Sequence, residues 1–191
     1  KRFIDITGSN KTLHITPGNH DIQGNKSLNE FLRYFPELYY SHSNEDTLFI
    51  FLNSELPGEE GMITGKQLAW LKDELQKTFR YKFVFVHRPL FPIFGLHGLD
   101  KYKQQRDELH QLFAKQGVSL VVSGHDHLYN RRKMDGITYI IAAASGGQTR
   151  FLSDTRFYFR YIVGKRTQSG YYFTVKDMDG DTGDEFKINN N

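Results

Sequence analysis

Residues 64–89 read TGKQLAWLKDELQKTFRYKFVFVHRP, and the reading of this stretch decides the fold. Its first half sets Leu68, Trp70, Leu71 and Leu75 along one helical face, with Thr64 as N-cap and Gln67 as its capping-box partner. The spacing predicts a helix from Gly65 to Thr78. Its second half, Tyr81 to His87, reads as a buried strand that ends at Arg88-Pro89. The same order repeats downstream. Asp100 to Lys115 predicts a helix with Leu109, Leu112 and Phe113 inward, and Ser119 to Ser123 a strand closing at Gly124. Upstream, Leu13 to Thr16 is a β-prone run stopped by Pro17-Gly18, and Ser27 to Tyr34 carries Leu28, Phe31 and Leu32 at helical spacing. Leu38 to Tyr40 and Thr47 to Leu52 read as a hairpin joined by the polar turn His42 to Asp46.

Beyond Gly124 the helical periodicity disappears. Asn130 to Met134 and Ile137 to Ala144 flank Asp135-Gly136, a strong hairpin signal, because a tight turn there needs residues that tolerate positive φ. Tyr158 to Val163, Tyr171 to Lys176 and Glu185 to Ile188 read as further strands, with turns at Gly164 and Asp179-Gly180. Strands alternating with helices, followed by an all-strand tail, predict a layered α/β fold with two packed sheets. At 191 residues, with 38% hydrophobic content, 16 Phe and 11 Tyr, the chain suits one domain, residues 1–191, with a sizeable core.

Composition removes several function classes. A net charge of +3 from 25 basic and 22 acidic residues gives no reason to expect a nucleic-acid or membrane partner. The absence of cysteine excludes disulfides, thiolate nucleophiles and thiolate metal sites, so any metal must be held by nitrogen and oxygen. The longest apolar runs fall far short of the roughly 20 residues that a bilayer span needs, and the chain reads as soluble. It opens Lys1-Arg2-Phe3, with no Met and no leader, which points to a missing N-terminal portion.

Three polar groups occupy one position in this map, the loop just past a predicted strand. They are Gly18-Asn19-His20-Asp21, His87-Arg88-Pro89 and Gly124-His125-Asp126-His127. Loops at strand carboxyl ends converge on a shared crevice in open α/β sheets. Each group alone has a plainer reading: a strand-ending turn for the first, a structural histidine for the second, a surface His-x-His for the third. Their recurrence in the same position favours chemistry.

This ordered set resembles the calcineurin-like metallophosphoesterases, a family that includes the purple acid phosphatases. Its later signatures are Gly-Asn-His-Asp/Glu, a lone His after a strand, and Gly-His-x-His, matched here by Gly18–Asp21, His87 and Gly124–His127. The gaps from Asn19 to His87 and from His87 to His125, 68 and 38 residues, also look like the family's. Tyr129 and Arg131 resemble residues that follow the last signature in purple acid phosphatase-like members. The resemblance implies an α/β/β/α sandwich of two mixed sheets flanked by helices, with its N-terminal part missing. It implies that Asn19, His87 and His125 bind one metal and His127 the other, and that His20 protonates the leaving oxygen while Asp21 orients it. Two ions of the Mn, Fe or Zn kind would lower the pKa of a bridging water and steady an in-line displacement on a phosphoester or phosphoprotein.

The family's earlier signatures, Asp-x-His and Gly-Asp-x-x-Asp, do not occur before Asn19. The expected reading is a fragment, poorly active alone, whose missing N-terminal segment supplies the remaining ligands. The rival is a non-catalytic scaffold or binding module that kept the fold. His97, in the loop between two site motifs, and Arg131 are the candidates for substrate contact. Asp177 to Asp181 reads as a hairpin turn rather than a calcium loop, because the sixth and twelfth positions are Thr182 and Ile188. Arg132, Lys133, Arg150, Arg156, Arg160, Lys165 and Arg166 read as solvated, and His14, His42 and His110 as structural. Ser123 and Ser145 lack the Gly-x-Ser-x-Gly elbow of a serine hydrolase. The resemblance leans towards an exported enzyme.

Overall fold

The computed structural model describes residues 12–143 and 159–189. Helix α1 (Asn25–Leu32) precedes a hairpin of β1 (Tyr40–Asn44) and β2 (Thr47–Leu52). Then come α2 (Gly65–Gln76), β3 (Tyr81–Val86), a 3₁₀ turn (Leu99–Tyr102), α3 (Lys103–Lys115) and β4 (Leu120–Ser123). Among the described residues five strands follow: β5 (Tyr129–Met134), β6 (Ile137–Ala142), β7 (Arg160–Thr167), β8 (Gly170–Asp177) and β9 (Thr182–Asn189). The first six strands form one sheet in the order β1-β2-β3-β4-β6-β5, and β7, β8 and β9 form a second. Strands β2, β3, β4 and β6 run parallel, with β1 and β5 antiparallel at the two edges.

Alternation along the strands divides the side chains into two cores. Leu48, Ile50, Leu52, Val84, Val86 and Val121 meet Leu71 and Leu75 of α2 and Leu109 and Phe113 of α3. Phe83 and Leu120, on the opposite face, meet Phe173, Val175, Phe186 and Ile188 of the second sheet. Tyr171 sits edge-on to Phe83, with ring centroids 4.9 Å apart, and its hydroxyl lies 2.7 Å from Thr47 Oγ1. The layered two-sheet class is therefore what the chain adopts. Among the described residues the second sheet is antiparallel rather than mixed, because short turns join its strands and a parallel crossover needs a dozen residues or more.

Lys82 points into the helix-side core, where its ammonium donates to Leu75 O (2.6 Å) and Gln116 O (3.0 Å) at the carboxyl ends of both helices. Burial lowers its pKa, and the two carbonyls hold the charge where helix dipoles favour a cation.

Several local expectations need correcting. Leu13 to Thr16 is extended but pairs with no strand among the described residues; Ile15 N and O instead bond to the Tyr40 hydroxyl, at 2.8 and 3.2 Å. His14 stacks on Phe51, with centroids 4.9 Å apart. His42, Ser43 and Asn44 belong to β1, and the turn is only Glu45-Asp46, with Glu45 at φ 51°. Thr64 sits at the N-cap but makes no side-chain cap bond, its hydroxyl bonding to Glu59. Gln67 is 1% exposed and grips the Asn53 backbone instead, donating to its O (2.8 Å) and accepting from its N (2.7 Å).

Gly164 lies inside β7 opposite Phe173, and a Cβ there would stand 2.7 Å from that ring. The glycine serves close packing, while the turn falls at Gln168-Ser169. Asp135-Gly136 is the turn expected, both residues having positive φ. Asp177 Oδ1 accepts from Asp179 N (3.1 Å) and Asp181 N (2.9 Å), as a hairpin turn would have it. Ala144, Ser145, Arg150, Arg156 and Tyr158 lie outside the described residues. No helix among the described residues is long and apolar enough to cross a membrane.

Candidate metal centre

The parallel strands β2, β3 and β4 end on one edge of the sheet, and the loops that leave β3 and β4 carry two of the three polar groups. Gly124 N donates to His87 O at 3.0 Å, tying the loop after β4 to the loop after β3. The Gly18–Asp21 turn, which follows no strand among the described residues, is closed by Asp21 N and Ile22 N, which donate to Gly18 O. Gly18 lies directly against the His87 ring, where a Cβ would come within 2.8 Å of Cε1 and Nδ1. Only glycine permits that approach.

Three side chains meet there. His87 Nε2 stands 2.8 Å from Asn19 Oδ1 and 3.1 Å from His125 Nδ1, and His125 Nδ1 stands 3.1 Å from Asn19 Oδ1. The carboxamide oxygen only accepts, and a neutral imidazole carries one proton. Protons on both rings could serve the oxygen, but the nitrogen–nitrogen edge would then have none to spare for an acceptor. A cation at the centre satisfies all three atoms. Ligands at right angles around an ion with bonds of about 2.1 Å stand roughly 3 Å apart, so the triangle fits a metal.

Electrostatics agree. His87 has its pKa lowered to about 4, first by burial and then by Arg88. His125 is lowered to about 4, first by burial and then by His87. Both rings are neutral at pH 7, the state that a metal requires. Among the described residues no group of three His, Cys, Asp or Glu side chains could hold a metal, and this cluster is instead two imidazoles and a carboxamide.

Three further predicted residues, His127, His20 and His97, relate to the triangle. His127 lines the same opening of about 350 Å³ as His87 and His125, whose floor is Phe85, Val122 and Ala142. An extended backbone would turn the His125 and His127 rings the same way, but this segment is not extended. Both adopt left-handed φ, 68° and 53°, in a bend, a strain found where a structure over-determines a site. His20 is exposed, and its charge and that of His127 both act on His87. His97 is exposed and acts likewise on His125.

Two expectations change. Asp21 Oδ2 accepts from Gly18 N at 2.8 Å, so this oxygen braces the loop rather than the His20 ring. Arg131 is turned to the second sheet, where Nε and Nη2 clasp Asp184 at 2.6 and 3.0 Å and the guanidinium lies over Phe186. It pins the two layers together. The letters Gly-Asp-x-x-Asp occur once, at Gly180–Asp184, in the β8–β9 hairpin, where Asp184 also accepts from Tyr129 at 2.5 Å.

A polar strip went unread in the sequence. Asn53, Ser54 and Glu55, directly after β2, are at most 1% exposed. Glu55 takes Arg88 in a two-pronged pair, both bonds 2.8 Å. Asn53-Ser54-Glu55 follows a buried apolar strand just as His87 and Gly124–His127 do, and that position was the available signal.

Comparison with known proteins fits this geometry. A family model described as calcineurin-like phosphoesterase matches residues 1–129. The human serine/threonine-protein phosphatase CPPED1 is 30% identical over 164 residues, covering 78% of this chain and 52% of the relative. Purple acid phosphatase 23 of Arabidopsis thaliana is 26% identical over 147 residues, covering 68% and 31%. The chain thus spans about half the length of the CPPED1 relatives that it matches, and less of the plant enzyme. Among solved structures, GAP50, the anchor in the inner membrane complex of Plasmodium, superposes with a TM-score of 0.63 at 17% identity, covering 82% of this chain and 56% of that one, and shares the fold.

Proposed function

This chain belongs to the calcineurin-like phosphoesterase family, and from that premise we propose that it carries half of a dinuclear metal centre that hydrolyses phosphate esters. The observation that carries the reading is the triangle of Asn19 Oδ1, His87 Nε2 and His125 Nδ1, three lone-pair donors about a common centre. They would hold one ion, with His127 offered to a second. Bound ions of the Mn, Fe or Zn kind supply charge neutralisation at the phosphoryl oxygens and activation of water.

The chain's own residues do the rest. Gly18 lets the Asn19 loop press on His87, and the half-buried rings stay neutral, which leaves their lone pairs free for a metal. His20, exposed and acting electrostatically on His87, would give a proton to the departing oxygen. His97, which acts electrostatically on His125, would meet a phosphoryl oxygen. Asp-x-His occurs nowhere in the 191 residues, and on this reading the remaining ligands would have to be supplied from elsewhere. The substrate is a phosphoprotein or small phosphoester, in keeping with the names of the phosphatase relatives.

The test is phosphate release by the full-length gene product from a panel of esters, with each metal added after chelation. Activity that returns with metal and is lost in His125→Ala supports the reading. No release with any metal, and no bound ions by elemental analysis, would leave the rival, a scaffold that kept the fold, which the missing Asp-x-His motivates.

A further inference from the structure

The loop from Pro89 to Gly98 is unusual in what holds it and in what it exposes. Arg88, fixed by Glu55, donates from Nη1 to His97 O at 3.3 Å. Asp126, 7% exposed and placed between His125 and His127, accepts from Ile93 N at 3.0 Å. Asp100 accepts from Leu96 N at 2.7 Å and from Gly98 N at 3.0 Å. A Cβ on Gly98 would fall 2.1 Å from Pro89 O, so the closure tolerates only glycine. Three charged side chains thus fasten one short segment, and two of them grow from the motifs that build the centre.

The segment they fasten presents apolar side chains to water. Leu96 is 72% exposed and Ile93 36%. A lone exposed leucine needs no explanation, but Leu96 also sits at φ 66°, which costs a branched L-residue about 1–2 kcal/mol. A relaxed loop would release that strain. The charged side chains that bond its backbone maintain it, and the result is a leucine turned outward in the loop whose His97 acts on His125 and whose Ile93 N is held by Asp126.

We propose that Leu96 and Ile93 form a preset lip that selects phosphoesters whose organic part carries an alkyl or aryl group. The proposal rests on the phosphoesterase reading of the centre. A rigid lip loses little entropy when it covers such a group, and each buried methylene favours binding by about threefold to fourfold. It acts on the ester's organic part, whereas the metal ligands act on the phosphoryl group.

The experiment compares hexyl phosphate with 2-hydroxyethyl phosphate, alkyl esters differing chiefly in apolar surface, on the metal-loaded full-length protein. Serine-phosphorylated peptides with Leu or Ser next to the phosphoserine are run in parallel, to distinguish a protein source of the apolar group from a small-molecule one. The wild type should favour the hexyl ester or the Leu peptide in kcat/KM, and Leu96→Ser should reduce that ratio about tenfold. Glu55→Gln, which weakens the Arg88 anchor, should erode the same ratio and speed amide exchange over residues 93–98. An active enzyme whose ratios are unchanged by Leu96→Ser overturns the lip and leaves the phosphoesterase reading standing. Should neither ester be hydrolysed with any metal, that reading fails instead. Hexylphosphonate binding by calorimetry then judges the lip alone, and equal affinity for the wild type and Leu96→Ser overturns it.

Discussion

Two polar clusters flank the six-stranded sheet, and they are built on opposite principles. At the layer interface Tyr129, Arg131 and Asp184 form a closed set: the carboxylate accepts from both partners, and every charge has its counter-charge. At the carboxyl ends of the strands Asn19, His87 and His125 form an open set, with three electron-pair donors aimed at one another. A closed network stabilises a fold, since its groups would be costly to strand. An open one contributes little to stability and becomes complete only with a cation. The difference separates a structural role from a chemical one even though both clusters mix titratable side chains with partial burial.

The sharpest way to break the contrast is to remove one member from each. Asn19→Ala should lower metal-dependent turnover by at least about 10²-fold, while the melting temperature of the metal-free protein barely moves. Parallel losses in both would make the open cluster structural. Asp184→Ala should do the reverse, destabilising by about 2 kcal/mol in urea unfolding with metal content intact, because it strands Arg131 and Tyr129.

The Asp184 pair also has a pH signature. Burial alone would raise the Asp184 pKa, but the bonds from Arg131 and Tyr129 outweigh it and hold the carboxyl below its ordinary value. Its stabilisation is therefore fully present above the unfolded value, about 3.9, and is lost as pH falls through the folded one. The stability gap between wild type and Asp184→Asn should close under acid, and a gap constant down to the lowest pH at which the protein stays folded would contradict the pairing.

Gly18→Ala sharpens the comparison from the backbone side. The 2.8 Å approach to His87 leaves no room for a methyl, so the loop must retreat, at about 1–3 kcal/mol and with loss of metal affinity. The smallest effect belongs to Thr64→Ala. Its hydroxyl caps no helix N–H, so the change should cost under about 0.5 kcal/mol, against the roughly 1 kcal/mol of a true cap.

What the sequence revealed follows the range of the forces involved. The helices α2 and α3 and the Asp135-Gly136 hairpin were readable because periodicity and positive φ are local properties. His87 and Gly124–His127 were readable because they follow strands that are themselves local, whereas Gly18–Asp21 was readable from its residue types, no strand preceding it among the described residues. Leu13–Thr16 was misread because a strand needs a neighbour, and its backbone is met by Tyr40 instead. Gly164 was misread because its requirement comes from the Phe173 ring across the ladder. Gln67 and Arg131 fitted local or family patterns, but tertiary partners 14 and 53 residues away claimed their polar atoms. The Glu55–Arg88 pair joins residues 33 apart and shows only once two strands lie side by side.

The most direct measurement is anomalous diffraction from crystals of the full-length gene product grown with manganese. A peak within bonding distance of Asn19 Oδ1, His87 Nε2 and His125 Nδ1 together is the expected result. A map with manganese bound elsewhere, or with these three atoms bridged only by water, would contradict the assignment of the open cluster as a metal centre.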